Sequence, residues 1–285
     1  MRMEDERRSE NVEDMRGASF GGMKLAGGGI GAVIVVVIAL LMGVDPSQLL
    51  QQLPTSSAVA PSSGPTQSSP EEDRLKDFVS AVLASTEDTW GELFRANGRN
   101  YVDPKLVLFS GAVQSACGFA QAAVGPFYCP ADQKVYIDLS FYRDLRQRFH
   151  APGDFAEAYV IAHEVGHHVQ NLLGISDKVH AAQQRASETQ ANALSVRVEL
   201  QADCLAGIWA NRADHARRIL DSGDLEQGLN AAAQIGDDRM QLRARGYVSP
   251  ESFTHGSSEQ RVRWFKRGLE SGSTKSCDTF AVAQL

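Results

Sequence analysis

Apolar and polar residues follow two different periods along the chain. From residue 75 to 94, apolar side chains recur every three or four positions, which predicts an amphipathic helix. Residues 69–72 (Ser-Pro-Glu-Glu) predict where that helix begins, because a serine cap, a first-turn proline and acidic neighbours all favour a helix start. Residues 105–115 and 134–139 are rich in Val, Leu and Ile and predict two β-strands, with a loop indicated over residues 118–125.

After residue 141 the pattern is mainly helical. The most apolar helix is predicted from about Asp154, a good cap, to Gly174, a good terminator. Further helices are predicted around residues 196–209 and after residue 257. The sequence therefore predicts an α+β, mainly helical domain with a small sheet, which occupies residues 70–285.

The first 69 residues show neither period. Residues 1–24 are polar and of mixed charge, which predicts a disordered segment. Residues 25–44 are an uncharged apolar run of 20 residues, which as a helix would span the roughly 30 Å hydrocarbon core of a bilayer. Residues 45–69 are rich in Pro, Ser, Gln and Thr, which predicts a flexible tether.

These segments predict a single-pass membrane protein. Five Lys and Arg residues precede the apolar run and the first one after it is Arg74. Residues 1–24 are therefore expected in the cytoplasm, and the domain on the periplasmic or extracellular side. A cleaved signal peptide is the alternative, since Ala58-Val59-Ala60 resembles a cleavage site. The run is long for a signal peptide and ends some 14 residues before that site, which favours an uncleaved anchor.

Composition narrows the range of functions. The 285 residues, 43% of them hydrophobic, suffice for one substantial core. A net charge of −7 without a basic stripe argues against nucleic-acid binding. The four cysteines form no Cys-x-x-Cys pair, which argues against a structural zinc ribbon, but they suit two disulfides in an oxidising compartment. Cys117 and Cys129 flank one loop, and Cys204 and Cys277 could form the second bridge.

The predicted apolar helix carries His163-Glu164-x-x-His167. On a helix the two histidines lie about 40° apart around the axis and one turn apart along it, so both can bind one Zn²⁺. Glu164 borders that face and can take a proton from a zinc-bound water. A helix that carries two histidines by chance is the alternative, but a carboxylate and imidazoles in an apolar helix are costly to bury without a compensating charge.

A third ligand is predicted at Glu199. Glu199 and Asp203 are four residues apart on a predicted helix with apolar surroundings. Glu199 would complete the zinc ligands and Asp203 would accept a hydrogen bond from a metal-bound imidazole. The alternative is a solvated acidic face. His180 is a rival ligand in a polar stretch, and His168 points away from the metal face and is expected to pack or hydrogen-bond.

A histidine also precedes the last predicted helix. His255 lies in the loop over residues 253–257 and could hydrogen-bond an oxyanion, although a surface or capping role is an equal alternative. Arg261, in the helix that follows, could pair with Asp203 or with Glu259.

Four segments together resemble the putative neutral zinc metallopeptidase family, which comprises membrane-anchored bacterial proteins with a gluzincin-like site. The segments are Tyr128-Cys129-Pro130-Ala131-Asp132, residues 158–170, Glu199-Leu200-Gln201-Ala202-Asp203 and Thr254-His255-Gly256-Ser257-Ser258-x-x-Arg261. The resemblance covers about residues 77–272 and implies a zincin-like domain. A more distant likeness to the CAAX prenyl proteases implies His163, His167 and Glu199 as zinc ligands and Glu164 as base. Those enzymes have Pro where this chain has Gly256, and they have more membrane spans, so a prenylated substrate is not implied.

We therefore expect a membrane-anchored zinc metallopeptidase that hydrolyses peptide bonds with zinc-activated water. Residues 134–139 could supply an edge strand for an extended peptide substrate. Two alternatives stay open. One is a non-catalytic zinc-stabilised binding or scaffold domain, in which a protein side chain would fill the fourth metal position. The other is a zinc amidase or deacylase that acts on envelope substrates by the same chemistry.

Overall fold

The computed structural model describes residues 1–17 and 69–285. Their fold is α+β and mainly helical, as predicted. The helices are α1 (Pro70–Ala96), α2 (Ser140–Gln147), α3 (Asp154–Leu172), α4 (Ile175–Gln183), α5 (Glu188–Arg217), α6 (Asp224–Gln234), α7 (Asp237–Arg245) and α8 (Ser258–Ser271). The strands are β1 (Val12–Asp14), β2 (Lys105–Phe109), β3 (Ala112–Ser115), β4 (Gly118–Gln121), β5 (Phe127–Cys129) and β6 (Lys134–Asp138).

The strands form one four-stranded sheet and one hairpin. The sheet has the order β1-β2-β6-β5, with β1, β2 and β6 parallel and β5 antiparallel to β6. The single strand predicted over 105–115 is instead two strands, because Gly111 has a φ of +77° and turns the chain. Part of the loop predicted over 118–125 is β4, which pairs with β3. The strand predicted over 134–139 is confirmed as β6, but it lies inside the sheet, so it has no free edge for a substrate.

Helix α1 begins as its sequence predicts. The Ser69 hydroxyl accepts a hydrogen bond from the Glu72 N–H, and the Glu72 carboxylate accepts one from the Ser69 N–H. This capping box satisfies two donors that the helix itself leaves free. Helix α3 begins one residue earlier than expected, since Gly153 is the cap and Asp154 lies in the first turn.

Helix α3 lies in the core between α1, α5 and α6. A Cβ on Gly166, between the two motif histidines, would lie 3.0 Å from the carbonyl oxygen of Ala202, so glycine allows α5 to approach closely. A Cβ on Gly268 would lie 1.9 Å from the carbonyl oxygen of Cys204, which fixes α8 against the other side of α5. These two close contacts bring three helices together around one site.

Both predicted disulfides are present. Cys117–Cys129 ties the β3–β4 hairpin to β5, and Cys204–Cys277 ties the C-terminal residues to α5. No free cysteine remains among the described residues.

The prediction of disorder for residues 1–24 is wrong for residues 1–17. Strand β1 pairs with β2 at the edge of the sheet, and Met3 is buried. Polar composition suggested disorder, but many of these polar side chains have partners on the domain. The remaining predicted segments (residues 18–24, the apolar run 25–44 and the tether up to residue 68) lie outside the described residues. Across residues 1–17 and 69–285, no helix has the length and apolar character needed to cross a membrane.

Candidate metal centre

Three donor atoms from two helices converge at one point. Nε2 of His163 and Nε2 of His167, both on α3, lie 3.2 Å apart. The Glu199 carboxylate on α5 lies 3.1 Å from the first nitrogen and 3.4 Å from the second. Ligands at about 2.0–2.1 Å from a tetrahedral zinc lie about 3.4 Å from one another, so the three donor atoms fit one Zn²⁺.

The hydrogen bonds of the imidazoles support a cation at this point. Nδ1 of His163 lies 2.9 Å from Oδ1 of Asp203, and Nδ1 of His167 lies 2.8 Å from Oε1 of Gln170. Both partners are acceptors, so each Nδ1 carries the hydrogen. Neutral rings would then direct two Nε2 lone pairs at each other across 3.2 Å. A shared cation removes that repulsion and satisfies the carboxylate as well.

The electrostatics of the site also favour a cation between the three donor atoms. Burial lowers the pKa of His163, but the Asp203 and Glu199 carboxylates outweigh burial and raise the pKa to about 10. The pKa of His167 is also raised, because Glu199 outweighs burial, and the two histidines hold the pKa of Glu199 well below its usual value despite burial. The surroundings thus favour positive charge at the point where the three donor atoms meet.

His163 is supported by a buried ion pair. Asp203 is fully buried, and its carboxylate accepts hydrogen bonds from Nε and Nη2 of Arg261 on α8, both at 2.9 Å. The Tyr159 hydroxyl donates to the same carboxylate. The role predicted for Asp203, acceptor for a metal-binding imidazole, is therefore what the geometry shows. Of the two partners considered for Arg261, the structure selects Asp203.

His167 is supported by Gln170, which sequence reasoning missed. The Gln170 side chain is buried and donates from Nε2 to the carbonyl oxygen of Val198 at 2.7 Å and to Oε1 of Gln201 at 3.0 Å. These acceptors fix the amide so that Oε1 faces His167. The available signal was the spacing, because residues three apart on a helix are neighbours.

Glu164 lies in the cleft beside the three donor atoms and is 7% exposed. It is not one of the three converging groups. Burial raises the pKa of its carboxyl group, which His163 and His167 only partly offset. A carboxylate with raised proton affinity next to a metal position can act as a base.

His255 lies in the same cleft with its side chain about half exposed. Its Nδ1 is 3.0 Å from the Thr254 hydroxyl oxygen and 3.3 Å from Oδ1 of Asp237, a residue that sequence reasoning did not identify. The cleft has a volume of about 650 Å³. Residues 122–128 border it on one side and α7 on another.

The other two histidines considered lie outside the centre. His168 is fully buried, with Nε2 2.6 Å from the Val102 carbonyl oxygen and Nδ1 3.0 Å from the Tyr128 hydroxyl, which confirms a hydrogen-bonding role. His180, the rival third ligand, is exposed on α4 and contacts Gln184. Across the described residues the only group able to hold a metal ion is the triad of His163, His167 and Glu199.

The chain is similar to known proteins over most of its length. The uncharacterized protein YpfJ of Escherichia coli K12 is 50% identical over 289 residues, which cover 98% of this chain and 99% of that protein. The uncharacterized protein Rv2575 of Mycobacterium tuberculosis H37Rv is 41% identical over 259 residues, covering 87% and 86%. No solved structure matches the chain.

The family comparison names the metal. A family model described as "putative neutral zinc metallopeptidase" matches residues 1–280, nearly the whole chain. Together with the donor set of two imidazoles and one carboxylate, it identifies the cofactor as Zn²⁺. The chain belongs to the putative neutral zinc metallopeptidase family.

Proposed function

We propose that this protein is a zinc metallopeptidase that hydrolyses peptide bonds, with Glu164 as general base. The observation that carries the proposal is a triad of protein ligands at the wall of an open cleft, beside a buried carboxylate that is not a ligand. Catalytic zinc sites have three protein ligands and one open position, whereas structural sites have four. The described residues supply three.

The protein groups divide the work of hydrolysis. Zn²⁺, when bound, lowers the pKa of water and polarises the scissile carbonyl. Glu164 accepts the proton of the attacking water, and its raised pKa favours holding that proton until the leaving amine needs it. His255, when doubly protonated, donates a hydrogen bond from Nε2–H to the oxyanion that develops on the former carbonyl oxygen. Asp203 and Gln170 hold the two imidazoles in the tautomer whose Nε2 faces the metal position.

An extended peptide could bind along β5. This strand is at the edge of the sheet, and Phe127 and Tyr128 line the cleft. Backbone groups on a free strand edge can pair with a substrate of any sequence, while adjacent side chains select residues. β5 thus takes the role that the sequence suggested for residues 134–139.

The compartment we propose is extracytoplasmic, with the domain held at a membrane by residues 25–44. Two disulfides support an oxidising space, because reducing cytoplasm seldom allows them in a protein of this size. The uncharged run of 20 residues supports membrane attachment.

A scaffold domain is the less favoured function, because a scaffold has no use for an open fourth position. A zinc amidase or deacylase would use the same groups, and the test of substrate separates it from a peptidase. Purified full-length protein loaded with zinc would be incubated with a proteome-derived peptide library, and new termini would be identified by mass spectrometry.

Glu164→Gln should abolish cleavage while keeping one zinc per chain, because it removes the base and leaves the ligands. Glu157→Gln is the matched control: Glu157 is a buried glutamate two turns earlier on α3 that pairs with Arg146 outside the cleft. It should cleave like wild type. Equal cleavage by wild type and Glu164→Gln would refute the base assignment. No peptide cleaved by wild-type protein would favour the amidase or scaffold alternatives.

A further inference from the structure

One carboxylate organises the whole loop that carries His255. Oδ2 of Asp237, at the start of α7, accepts hydrogen bonds from three consecutive backbone N–H groups: Thr254 at 2.7 Å, His255 at 2.6 Å and Gly256 at 3.1 Å. Gly256 has a φ of +92°, which lets the third N–H turn toward the same oxygen. The loop backbone is thus fixed by a side chain 17 to 19 residues earlier in the chain.

The second oxygen of Asp237 acts on the ring itself. Nδ1 of His255 lies 3.3 Å from Oδ1 of Asp237 and 3.0 Å from the Thr254 hydroxyl oxygen. The hydroxyl can accept or donate and the carboxylate can only accept, so a hydrogen on Nδ1 suits both partners. Nε2 is then the nitrogen available to the cleft. The hydrogen bond that Asp237 accepts also raises the pKa of His255 above its ordinary value, so the ring holds a second proton at higher pH.

We propose that Asp237 is a positioning residue for His255: it fixes the loop over residues 254–256, holds the hydrogen on Nδ1 and favours the doubly protonated ring, whose Nε2–H is then a donor toward the cleft. The proposal rests on the proposed function, in which His255 contacts the oxyanion. Asp237 itself touches no reacting atom.

The first experiment measures the pKa and the tautomer of the His255 imidazole by NMR. Full-length, zinc-loaded protein labelled with ¹⁵N-histidine has only 7 histidines to assign by NMR. Asp237→Asn should lower the pKa of His255 and weaken its preference for Nδ1–H, because the carboxylate charge is lost. Asp237→Glu, which keeps the charge, should restore part of the shift. Asp238→Asn is the matched control, because Asp238 caps α8 through Ser258 and has no contact with His255.

Peptide cleavage gives the second measurement. In Asp237→Asn, kcat should fall about tenfold or more with little change in KM, and the alkaline limb of the pH profile should move to lower pH. An unchanged His255 pKa and tautomer in Asp237→Asn would refute the positioning role. If the His255 ring changes in Asp237→Asn while the wild-type protein cleaves no peptide, the positioning role stands and the proposed function is refuted.

A second inference comes from the N-terminal residues, independently of the site. They are held by the domain along their length. Val12, Glu13 and Asp14 pair with residues 106–108 of β2 in a parallel ladder. Arg7 pairs with Glu87 at 2.7 Å, and Arg8 with Asp77 at 2.7 Å. Ser9 and Ser80 exchange two hydrogen bonds, one of them between backbone groups.

The chain leaves and re-enters the domain at one place. Asp14 pairs with Lys76 at 2.9 Å, and Arg16 lies 3.6 Å from Asp73, both partners being in the first two turns of α1. Residue 17 and residue 69 are therefore close to the same end of α1. A single crossing of a membrane between them would place them in opposite compartments, and β1 could then not pair with β2.

We infer that residues 1–17 lie in the same compartment as residues 69–285. The cytoplasmic placement expected from the distribution of Lys and Arg is incompatible with this sheet when the domain is outside. The Lys and Arg residues that suggested it include Arg7 and Arg8, which are used in ion pairs with α1.

Single-cysteine labelling tests this placement in cells. All native cysteines of the described residues are in disulfides, so Glu10→Cys and Thr189→Cys would each add one exposed thiol. A membrane-impermeant maleimide should label both without lysis. Labelling of both only after lysis would support the shared compartment and overturn its extracytoplasmic identity. Labelling of Thr189→Cys before lysis and of Glu10→Cys only after lysis would overturn the inference.

If neither Glu10→Cys nor Thr189→Cys reacts with the maleimide, a disulfide crosslink tests the same placement. Ser9→Cys with Ser80→Cys should form a disulfide detectable as one linked peptide pair, since the two residues are hydrogen-bonded neighbours. Its absence from extracytoplasmic protein that retains the two native disulfides would refute the inference.

Discussion

The two histidines of the candidate metal centre, His163 and His167, lie one turn apart on one helix, yet the protein supports them in different ways. His163 donates to Asp203, a carboxylate on α5 whose charge is neutralised by Arg261 on α8. His167 donates to Gln170, a neutral amide on its own helix. The first support joins three helices through a buried ion pair, whereas the second joins α3 and α5 through neutral hydrogen bonds alone.

This difference separates two roles, stabilising the fold and orienting a ring, which the His-Glu-x-x-His motif alone does not distinguish. The charged support of His163 couples the metal to the packing of α3, α5 and α8, so it carries fold stability as well as metal affinity. The neutral support of His167 orients a ring at the more exposed side of the site, where side-chain exposure is 16% against 8% for His163. Removing each support should therefore have different consequences.

The largest expected effect is on stability, from Arg261→Met. The change leaves the Asp203 carboxylate buried without its cation, which should cost about 3–5 kcal/mol in the free energy of unfolding. Arg263→Met is the matched control on the same helix, because Arg263 is half exposed and pairs with exposed Glu259. It should cost less than about 1 kcal/mol. Denaturant unfolding of the two variants measures both values, and equal losses would contradict a structural role for the buried pair.

The next effect is on zinc affinity. Asp203→Asn keeps an acceptor for His163 but loses its charge, and should weaken zinc binding toward the 100-fold end of the usual range of about 10–100-fold for such partners. Gln170→Ala should lie toward the tenfold end, because His167 loses only a neutral acceptor. Competition with a chromophoric chelator gives the two constants. A larger loss in Gln170→Ala would reverse the comparison.

The smallest effect comes from a charged pair outside the site, between Arg146 on α2 and Glu157 on α3. Burial raises the pKa of Glu157 to about 6 from an ordinary value of 4.5, and Arg146 offsets only part of that shift. Because the folded-state pKa is above the unfolded one, this group stabilises the fold most below pH 4.5. Its contribution of about 2 kcal/mol should be lost as pH rises toward 6 and stay lost above it.

Unfolding measured from pH 4 to 7 should show this step in wild type and not in Glu157→Gln. A step that persists in the variant would assign it to another group.

The sequence predicted the three candidate ligands because two pairs of residues have the four-residue spacing of a helix. His163 and His167 are four residues apart, and so are Glu199 and Asp203, whose like charges in an apolar helix required a cation. Gln170 has only its three-residue helical spacing from His167 as a signal, and Asp237 has none. A neutral amide on a helix is common, and Asp237 meets His255 only through the tertiary path of α7 and its loop.

For the first 17 residues, by contrast, the sequence led to the wrong prediction. Their polar composition is that of a disordered segment, and composition cannot reveal that Arg7, Arg8 and Glu13 have charged partners far along the chain. Pairing of β1 with β2 joins segments that are about 90 residues apart, which no local pattern encodes. The β3–β4 hairpin was missed for a local reason, since Gly111 was placed inside one continuous strand and residues 118–125 were predicted as a loop.

X-ray absorption at the zinc edge of full-length protein tests the central claim most directly. The account predicts one zinc per chain with two imidazoles, one carboxylate and one small exchangeable ligand, which a hydroxamate should replace. The same spectrum should persist in Glu164→Gln, because Glu164 is not a ligand. A fourth protein ligand, or a shell that a hydroxamate leaves unchanged, would contradict an open catalytic site.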